Sequence, residues 1–392
     1  MTSGNLSFHH PIAFVAGCIA ITVGVLAHVP MFVHASHMGY HMAGMPMDTN
    51  MWIGMGLIPI GLIMATYGLM PRLAQLRNTS HGTVHFHVAD NVPLNREHWK
   101  LVIVLVVAVT VDVMKPATIG FVMPGLSKEY GISSTSSGYL ALVALTGTTL
   151  GSVLWGRMAD LLGRRAAILL SALMFIGTSI CGAMPSFTGN LIMCFLMGLS
   201  AGGLLPITFT LMAETIPAAH RGWLLVALGG VGTSAGYLVT SGAATFLEPL
   251  FSWRILWMLG LPTGLMLIIL SNYIPESPRF LASKGLNKQA RAVLAKFSGE
   301  ITPEDHGELA EEEMKADSSG LRALIHGPYA KITIGLIGSG VSWGLVNFGF
   351  LLWLPTTLRD MGMSAESSNE LLARSGLLAL PGILVVIWLY HH

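Results

Sequence analysis

The stretch most informative about the fold is Gly156-Arg157-Met158-Ala159-Asp160-Leu161-Leu162-Gly163-Arg164-Arg165, because it places four charges between two long apolar runs. The glycines are predicted to let two helices and a tight loop approach closely. Asp160 is predicted to cap and to charge-complement the start of the following helix. The arginines indicate a cytoplasmic loop, since positive charge concentrates on that side of a membrane.

The composition indicates a polytopic helical membrane protein. Of the 392 residues, 53% are hydrophobic and only 10% are charged, whereas soluble domains carry about 25% charged residues. The mean hydropathy is +0.65. The net charge of +1 gives no indication of nucleic-acid binding. The chain has neither a Walker loop nor a Cys-x-x-Cys pair, so the sequence predicts no enzyme and no cofactor.

Ten apolar runs are long enough to cross about 30 Å of hydrocarbon. They lie near residues 11–35, 51–71, 99–124, 138–158, 165–184, 190–213, 222–247, 253–274, 331–355 and 371–390. The longest polar interruption, residues 275–330, is predicted to hold one or two short amphipathic helices on the membrane surface.

Lysine and arginine lie mostly on one side of these runs, which is therefore predicted to be cytoplasmic. The basic residues on that side are Arg72, Arg77, Arg96, Lys100, Arg164, Arg165, Arg221, Arg279, Lys284, Lys288, Arg291 and Lys296. On the other side only Lys128 and Arg359 stand out. We expect a cytoplasmic N-terminus, an outward-facing 36–50 loop, and location in a plasma membrane, such as a bacterial inner membrane.

Two further motifs accompany the first. Residues 214–222 read E-x-x-P-x-x-x-R-G, in which Glu214 and Arg221 can pair across the turn. Residues 275–279 read Pro-Glu-Ser-Pro-Arg. Together with the G-x-x-x-D-x-x-G-R-R loop, these motifs resemble the signature loops of the major facilitator superfamily over residues 99–390. The resemblance implies gating roles for Gly156, Asp160, Gly163, Arg164, Arg165, Glu214, Arg221, Glu276 and Arg279.

The resemblance implies an all-α major facilitator fold with a complete N-terminal six-helix half, a partial C-terminal half and two extra N-terminal helices. Residues 1–98 are then a two-helix appendage and 99–274 the six-helix half. Residues 275–330 are the central cytoplasmic loop, and 331–392 are the first two helices of the second half. Because the sequence stops after the eighth family helix, we expect either a truncated chain or a partial transporter.

The seventh family helix bears on the substrate. Sugar porters carry a Gln-Gln pair there, whereas this chain reads Ser342-Trp343-Gly344-Leu345-Val346-Asn347-Phe348-Gly349. The pattern is more similar to organic-acid proton symporters and synaptic-vesicle-protein-like relatives, and this similarity argues against a sugar substrate. Asn347 and Trp343 are candidates either for lining the substrate cavity or for packing.

Asp112 and Lys115 fall near the middle of the first family helix, three residues apart and therefore on one face. A charge at this depth costs roughly 2.5–3.5 kcal/mol on insertion scales, so such residues usually serve function. Lys115 would attract an anion, and Asp112 could carry a proton. The leading hypothesis is proton-coupled symport of a small organic anion by alternating access, and the alternative for these two residues is a structural ion pair.

Histidine and methionine concentrate in the outward loop, at His34, His37, His41, Met42, Met45 and Met47. Imidazole and thioether groups suit copper, so a metal-handling transporter is a second hypothesis. The alternative is incidental packing at a span end. His81, His85 and His87 form a weaker set on the cytoplasmic side. A third hypothesis is a non-transporting receptor or a truncated fragment.

Overall fold

The computed structural model describes residues 10–70, 92–284, 286–298 and 330–391, and within these ranges the regular structure is entirely helical. Within the described residues, ten stretches are long and apolar enough to cross a membrane, which confirms the ten predicted spans. The first helices are α1 Pro11–Leu26, α2 Val29–His34, α3 Thr49–Leu69, α4 Arg96–Tyr130, α5 Ser134–Leu162, α6 Arg164–Thr178, α7 Phe187–Thr215 and α8 Ala218–Phe251.

The remaining helices follow the end of α8. They are α9 Ile255–Met258, α10 Gly260–Leu270, α11 Pro278–Ser283, α12 Asn287–Ser298, α13 Ala330–Gly349, α14 Leu354–Asp360 and α15 Ala365–His391. Helices α11 and α12 lie in the predicted central loop, and α12 buries Ala290, Leu294 and Phe297. One apolar face on a short polar helix is the amphipathic pattern that was expected of this segment.

Polar side chains cap the start of some of the long helices. Asp48 accepts from the Met51 amide at 2.8 Å and starts α3. Asn95 starts α4 as a capping box: its side chain accepts from the His98 amide, and the His98 side chain accepts from the Asn95 amide. Helix α4 is 35 residues long, beyond the apolar run predicted at 99–124. The difference arises because hydropathy reports only the part of a helix that lies in hydrocarbon.

Helices α5 and α7 pack with their backbones in contact, and small residues make this possible. A Cβ atom at Gly198 would collide with the carbonyl oxygen of Ala144 on α5. The opposite extreme is α13, in which none of the side chains between Ala330 and Gly349 is buried. Helix α6 lies in the interior, where nearly all of its side chains are buried.

The predicted appendage corresponds to α1, α2 and α3. Helices α1 and α3 cross closely, since a Cβ atom at Gly17 would lie 2.5 Å from the Gly61 carbonyl oxygen. Both helices contact α6. The loop after α2 reaches the end of α4, where the Met42 and Ala43 amides donate to Glu129 at 2.8 and 3.0 Å. The appendage therefore contacts α6 through both of its long helices and α4 through the loop after α2.

Candidate functional site

The three loop motifs meet at the start of α6. Gly163 separates α5 from α6 with φ +106°, a conformation that favours glycine. The Glu276 carboxylate then accepts from the Arg164 amide at 2.7 Å and from the Arg165 amide at 3.4 Å. An acidic group at this position satisfies free amides and complements the positive end of the helix dipole. Glu276 therefore fastens the third motif onto the first.

The prediction that Asp160 caps this helix is wrong. Asp160 lies in the last turn of α5, where its side chain is 72% exposed, and it pairs with the Arg164 guanidinium at 3.0 Å. The cap comes from Glu276, 112 residues further along the chain than Arg164. The sequence pointed to Asp160 because it lies only four residues before Arg164. Spacing along the chain does not show that the later segment containing Glu276 folds back onto the start of α6.

Arg164 connects all of these loops. Its guanidinium lies 3.0 Å from Asp160 and 3.6 Å from Glu214, and it donates to the Ala159 carbonyl at 3.1 Å. Arg221 donates to the Ile216 carbonyl at 3.3 Å and so closes the turn after α7. The side chain of Arg165 is buried and Arg279 is exposed.

The close approach predicted for the glycines of the first motif holds for one of them. A Cβ atom at Gly163 would collide with the Glu276 carboxylate. A Cβ atom at Gly156 would meet no described atom within 4 Å. The expectation is therefore wrong for Gly156 in this conformation, because Gly156 lies on the exposed face of α5.

The Glu276 carboxyl group lies between α10 and α11, outside the membrane-crossing helices. Burial raises the pKa of Glu276 from 4.5 to about 7, although three amide donors and Arg164 favour the ionised form. A raised carboxyl pKa means that the folded protein binds more protons than the unfolded chain between these two values. Stability contributed by this group therefore falls as the pH rises through that window.

Glu276→Gln is expected to flatten this part of the pH dependence. Between pH 4.5 and about 7, the window set by the pKa of Glu276, the melting temperature of the variant should rise relative to that of the unsubstituted protein. The measurement is thermal unfolding in detergent at a series of pH values, with Glu370→Gln on an exposed pair as the control. Parallel curves for Glu276→Gln and the unsubstituted protein would contradict the assignment.

Asp112 and Lys115 form a buried ion pair within α4. Their charged atoms lie 2.8 Å apart, and the two side chains are almost completely buried. Lys115 also places its ammonium group 4.5 Å from the ring centroid of Phe175 on α6, a cation–π contact. The pair thus faces the neighbouring helix of its own half in this conformation.

A small cavity lies beside this pair, between α4, α5, α7 and the end of α13. Its lining is apolar except for one hydroxyl, that of Thr148. The lining residues are Pro116, Ile119, Ala141, Ala144, Leu145, Thr148, Met197, Gly198, Ala201, Phe348 and Leu352. Pro116 lines the cavity directly, whereas the side chains of Asp112 and Lys115 do not line it.

The two candidates on the seventh family helix do not line this cavity. Trp343 is exposed, and Asn347 donates to the Trp343 carbonyl at 2.9 Å, a bond within α13. Their neighbour Phe348 lines the cavity instead and stacks edge-on against Trp343 at 5.6 Å. Sequence reasoning missed Phe348, because an aromatic residue in an apolar helix carries no polar signal.

The predicted metal ligands are spread out. His34, His37 and His41 are exposed, and His41 lies 3.9 Å from Glu129. Met42 is completely buried, and Met45 and Met47 pack against the core. Among the described residues, no three His, Cys, Asp or Glu side chains are grouped closely enough to hold an ion. Metal binding by this loop stays a prediction. His81, His85 and His87 lie outside the described residues.

A second buried ion pair, which sequence analysis did not identify, lies at the opposite end of the bundle from the motif loops. Arg254 is fully buried, and its Nη2 atom lies 2.6 Å from the Glu129 carboxylate, which also accepts a hydrogen bond from the Trp253 indole at 2.9 Å. The Nη1 atom of Arg254 donates to the Gly182 and Met184 carbonyls at 3.1 and 2.9 Å. The available signal was a lone arginine at the start of an apolar run on the side where basic residues are scarce.

These features define a class of protein. In the part of the chain that the structure describes, ten helices are long and apolar enough to cross a membrane, the motif loops join at one end of the bundle, and a small cavity lies between the helices. These features are typical of a polytopic membrane transporter. Residues 97–357 match the family described as sugar (and other) transporters. The chain belongs to this family of the major facilitator superfamily.

Relatives and solved structures agree with this assignment. The chain is 30% identical to the 4-hydroxybenzoate transporter of Acinetobacter baylyi over 333 residues, covering 82% of this chain and 72% of the relative. It is 27% identical to a niacin transporter of the same organism, covering 76% and 69%. The fold is similar to the E. coli xylose transporter XylE in a partially occluded inward open conformation, with TM-score 0.61, 19% identity and coverage of 75% and 71%.

Proposed function

We propose that this transporter moves a small organic anion, specifically an aromatic carboxylate, together with protons. The observation that carries the proposal is the ion pair Asp112–Lys115, buried in a membrane-crossing helix and adjacent to the cavity-lining Pro116. Taking two ions out of water is costly, and ionisable residues inside membrane helices commonly mark substrate or proton pathways. Lys115 supplies the charge for a carboxylate and Asp112 carries the proton.

The residues that line the cavity support the aromatic part of the proposal. In this conformation the cavity has room for about one water molecule, so it must widen in the proposed cycle before a ring can enter. Its lining of aliphatic side chains with Phe348 offers dispersion contacts and ring packing to a flat apolar body, and the Thr148 hydroxyl is its one polar side chain. A sugar needs many hydrogen-bonding partners, which this lining does not provide. Two relatives are named for 4-hydroxybenzoate and niacin, each an aromatic ring with one carboxylate.

In the proposed cycle the cavity alternates between the two membrane faces. For the anion to meet Lys115, α4 must rotate or bend so that the ammonium group leaves Phe175 and enters the cavity. Pro116 removes one backbone hydrogen bond immediately after Lys115, which gives α4 a place to bend. Proton binding at Asp112 then leaves Lys115 free to pair with the carboxylate. We further propose that the protein resides in a bacterial inner membrane with a cytoplasmic N-terminus.

The test is uptake into proteoliposomes that contain the purified protein. With acid outside, labelled 4-hydroxybenzoate is expected to accumulate well above equilibrium, and a protonophore should abolish the accumulation. Unlabelled benzoate and nicotinate should compete, whereas xylose should not. Accumulation that survives the protonophore would contradict the proposal of proton coupling. Competition by xylose without competition by benzoate would contradict the proposal that the substrate is an aromatic carboxylate.

A further inference from the structure

An ion pair joins the two halves of the transporter at the end of the bundle that holds Glu129. Arg359, on α14, donates to both carboxylate oxygens of Glu248, at the end of α8, at 3.0 and 2.9 Å. Asn369, on α15, donates to the same carboxylate at 2.7 Å. Glu248 belongs to the six-helix half, whereas Arg359 and Asn369 belong to the second half.

The surroundings make this a stronger contact than an ordinary surface pair. The side chains of Arg359 and Glu248 are 15% and 11% exposed, and Asn369 is buried. Charge-assisted bonds in such a partly buried setting are roughly twice as strong as neutral ones. A few residues away, the pair Glu370–Arg374 lies within one helix and is largely exposed, with 47% and 72% of the side chains accessible. The Glu370–Arg374 pair therefore serves as a control, because an exposed ion pair contributes little to stability.

The segment that carries Arg359 also covers the cavity. The 3₁₀ turn Leu351–Trp353 leads directly into α14. The Leu352 side chain lines the cavity, and a Cβ atom at Gly120 would lie 2.6 Å from the Leu352 carbonyl oxygen. The Trp353 ring lies against α5, 2.7 Å from where a Cβ atom of Gly138 would be. Opening the cavity at this end requires residues 351–360 to leave α4 and α5.

We propose that Glu248, Arg359 and Asn369 form a latch that holds the cavity closed on the side of the 36–50 loop. The latch must break each time the cavity opens to that side, because Arg359 moves with the covering turn while Glu248 stays with the six-helix half. Tyr40 in the 36–50 loop contacts Phe251, three residues from Glu248, and this contact places the latch on that side. The proposal rests on the proposed transport function and on its orientation.

The experiment reports cavity access without any substrate. Thr148→Cys is introduced into a variant in which the three native cysteines, Cys18, Cys181 and Cys194, are replaced by alanine. Intact cells are treated with a membrane-impermeant thiol reagent. The labelling rate of Cys at position 148 is compared between the protein with an unchanged latch, called the latched protein, and the same protein carrying Glu248→Gln or Arg359→Gln. We expect each latch variant to label roughly tenfold faster, the equivalent of one lost hydrogen bond to a charged group.

Two controls keep the result interpretable. Glu370→Gln should leave the labelling rate unchanged. The exchanged pair Glu248→Arg with Arg359→Glu should return the rate toward that of the latched protein, which an unfolded variant would not do.

Unchanged labelling in both single variants, at normal protein amounts, would overturn the latch. Faster labelling only in everted vesicles would overturn its placement on the outer side. Failure of 4-hydroxybenzoate uptake with these labelling changes intact would count against the proposed substrate and not against the latch.

Discussion

Replacing Arg254 with methionine is expected to remove most of the folded protein. Arg254 is completely buried, and its guanidinium holds Glu129 and the Gly182 and Met184 carbonyls together. Removing one partner of a buried ion pair costs about 3–5 kcal/mol, since the other charge is left without compensation. That cost is a large share of the roughly 5–15 kcal/mol by which proteins are stable.

The network also explains how far the damage should spread. Glu129 accepts from the Met42 and Ala43 amides, so the loop of the appendage depends on the same carboxylate that Arg254 neutralises. We expect Arg254→Met to lower the yield of monodisperse protein in detergent severalfold and to expose the 36–50 loop to protease. Arg374→Met, at an exposed arginine, is the control. A normal yield with an unchanged melting temperature would show that this network is not needed for folding.

Asp112 and Lys115 are expected to give the largest functional effects. Asp112→Asn should retain exchange of labelled substrate across the membrane but lose accumulation driven by a proton gradient, because its side chain no longer binds and releases a proton. Lys115→Ala should weaken anion binding by about tenfold or more, the loss expected when a hydrogen bond to a charged group is removed. The measurements are counterflow, gradient-driven uptake and the substrate concentration for half-maximal exchange.

The same helix supplies a matched control. Glu97 and Lys100 are also three residues apart on α4, with charged atoms at 2.6 Å, but they are largely exposed. Glu97→Gln and Lys100→Ala should leave both assays unchanged. If Asp112 and Lys115 form only a structural pair, the double variant with Asn and Ala should be folded and active, because replacing a whole buried pair is often tolerated. Proton-driven accumulation by that double variant would exclude the coupling role.

Much of the membrane architecture was predictable from sequence. The ten spans were predicted because each apolar run reports its own transfer free energy, regardless of where the rest of the chain lies. The three motif loops indicated the superfamily, and the match over residues 97–357 confirms it.

The candidate site was only partly predictable. Asp112 and Lys115 were found because charge in an apolar run is conspicuous, and their spacing of three residues predicted the contact that is observed at 2.8 Å. The direction in which Lys115 points was not predictable, since it depends on Phe175 of another helix. Phe348 and Leu352, which line the cavity, are indistinguishable in sequence from neighbours that lie outside it.

Hydropathy, the motif loops and spacing within one helix were enough to predict the class of protein, the ten membrane spans and the local ion pairs, because each of these is a property of neighbouring residues. The contacts that join distant segments became visible only in the folded structure. Glu276 caps a helix 112 residues before it, Arg254 neutralises a carboxylate 125 residues away, and Arg359 reaches Glu248 across 111 residues. The reason is physical: a contact between distant segments depends on how whole helices pack, and packing is set by the complementary shapes of many side chains at once.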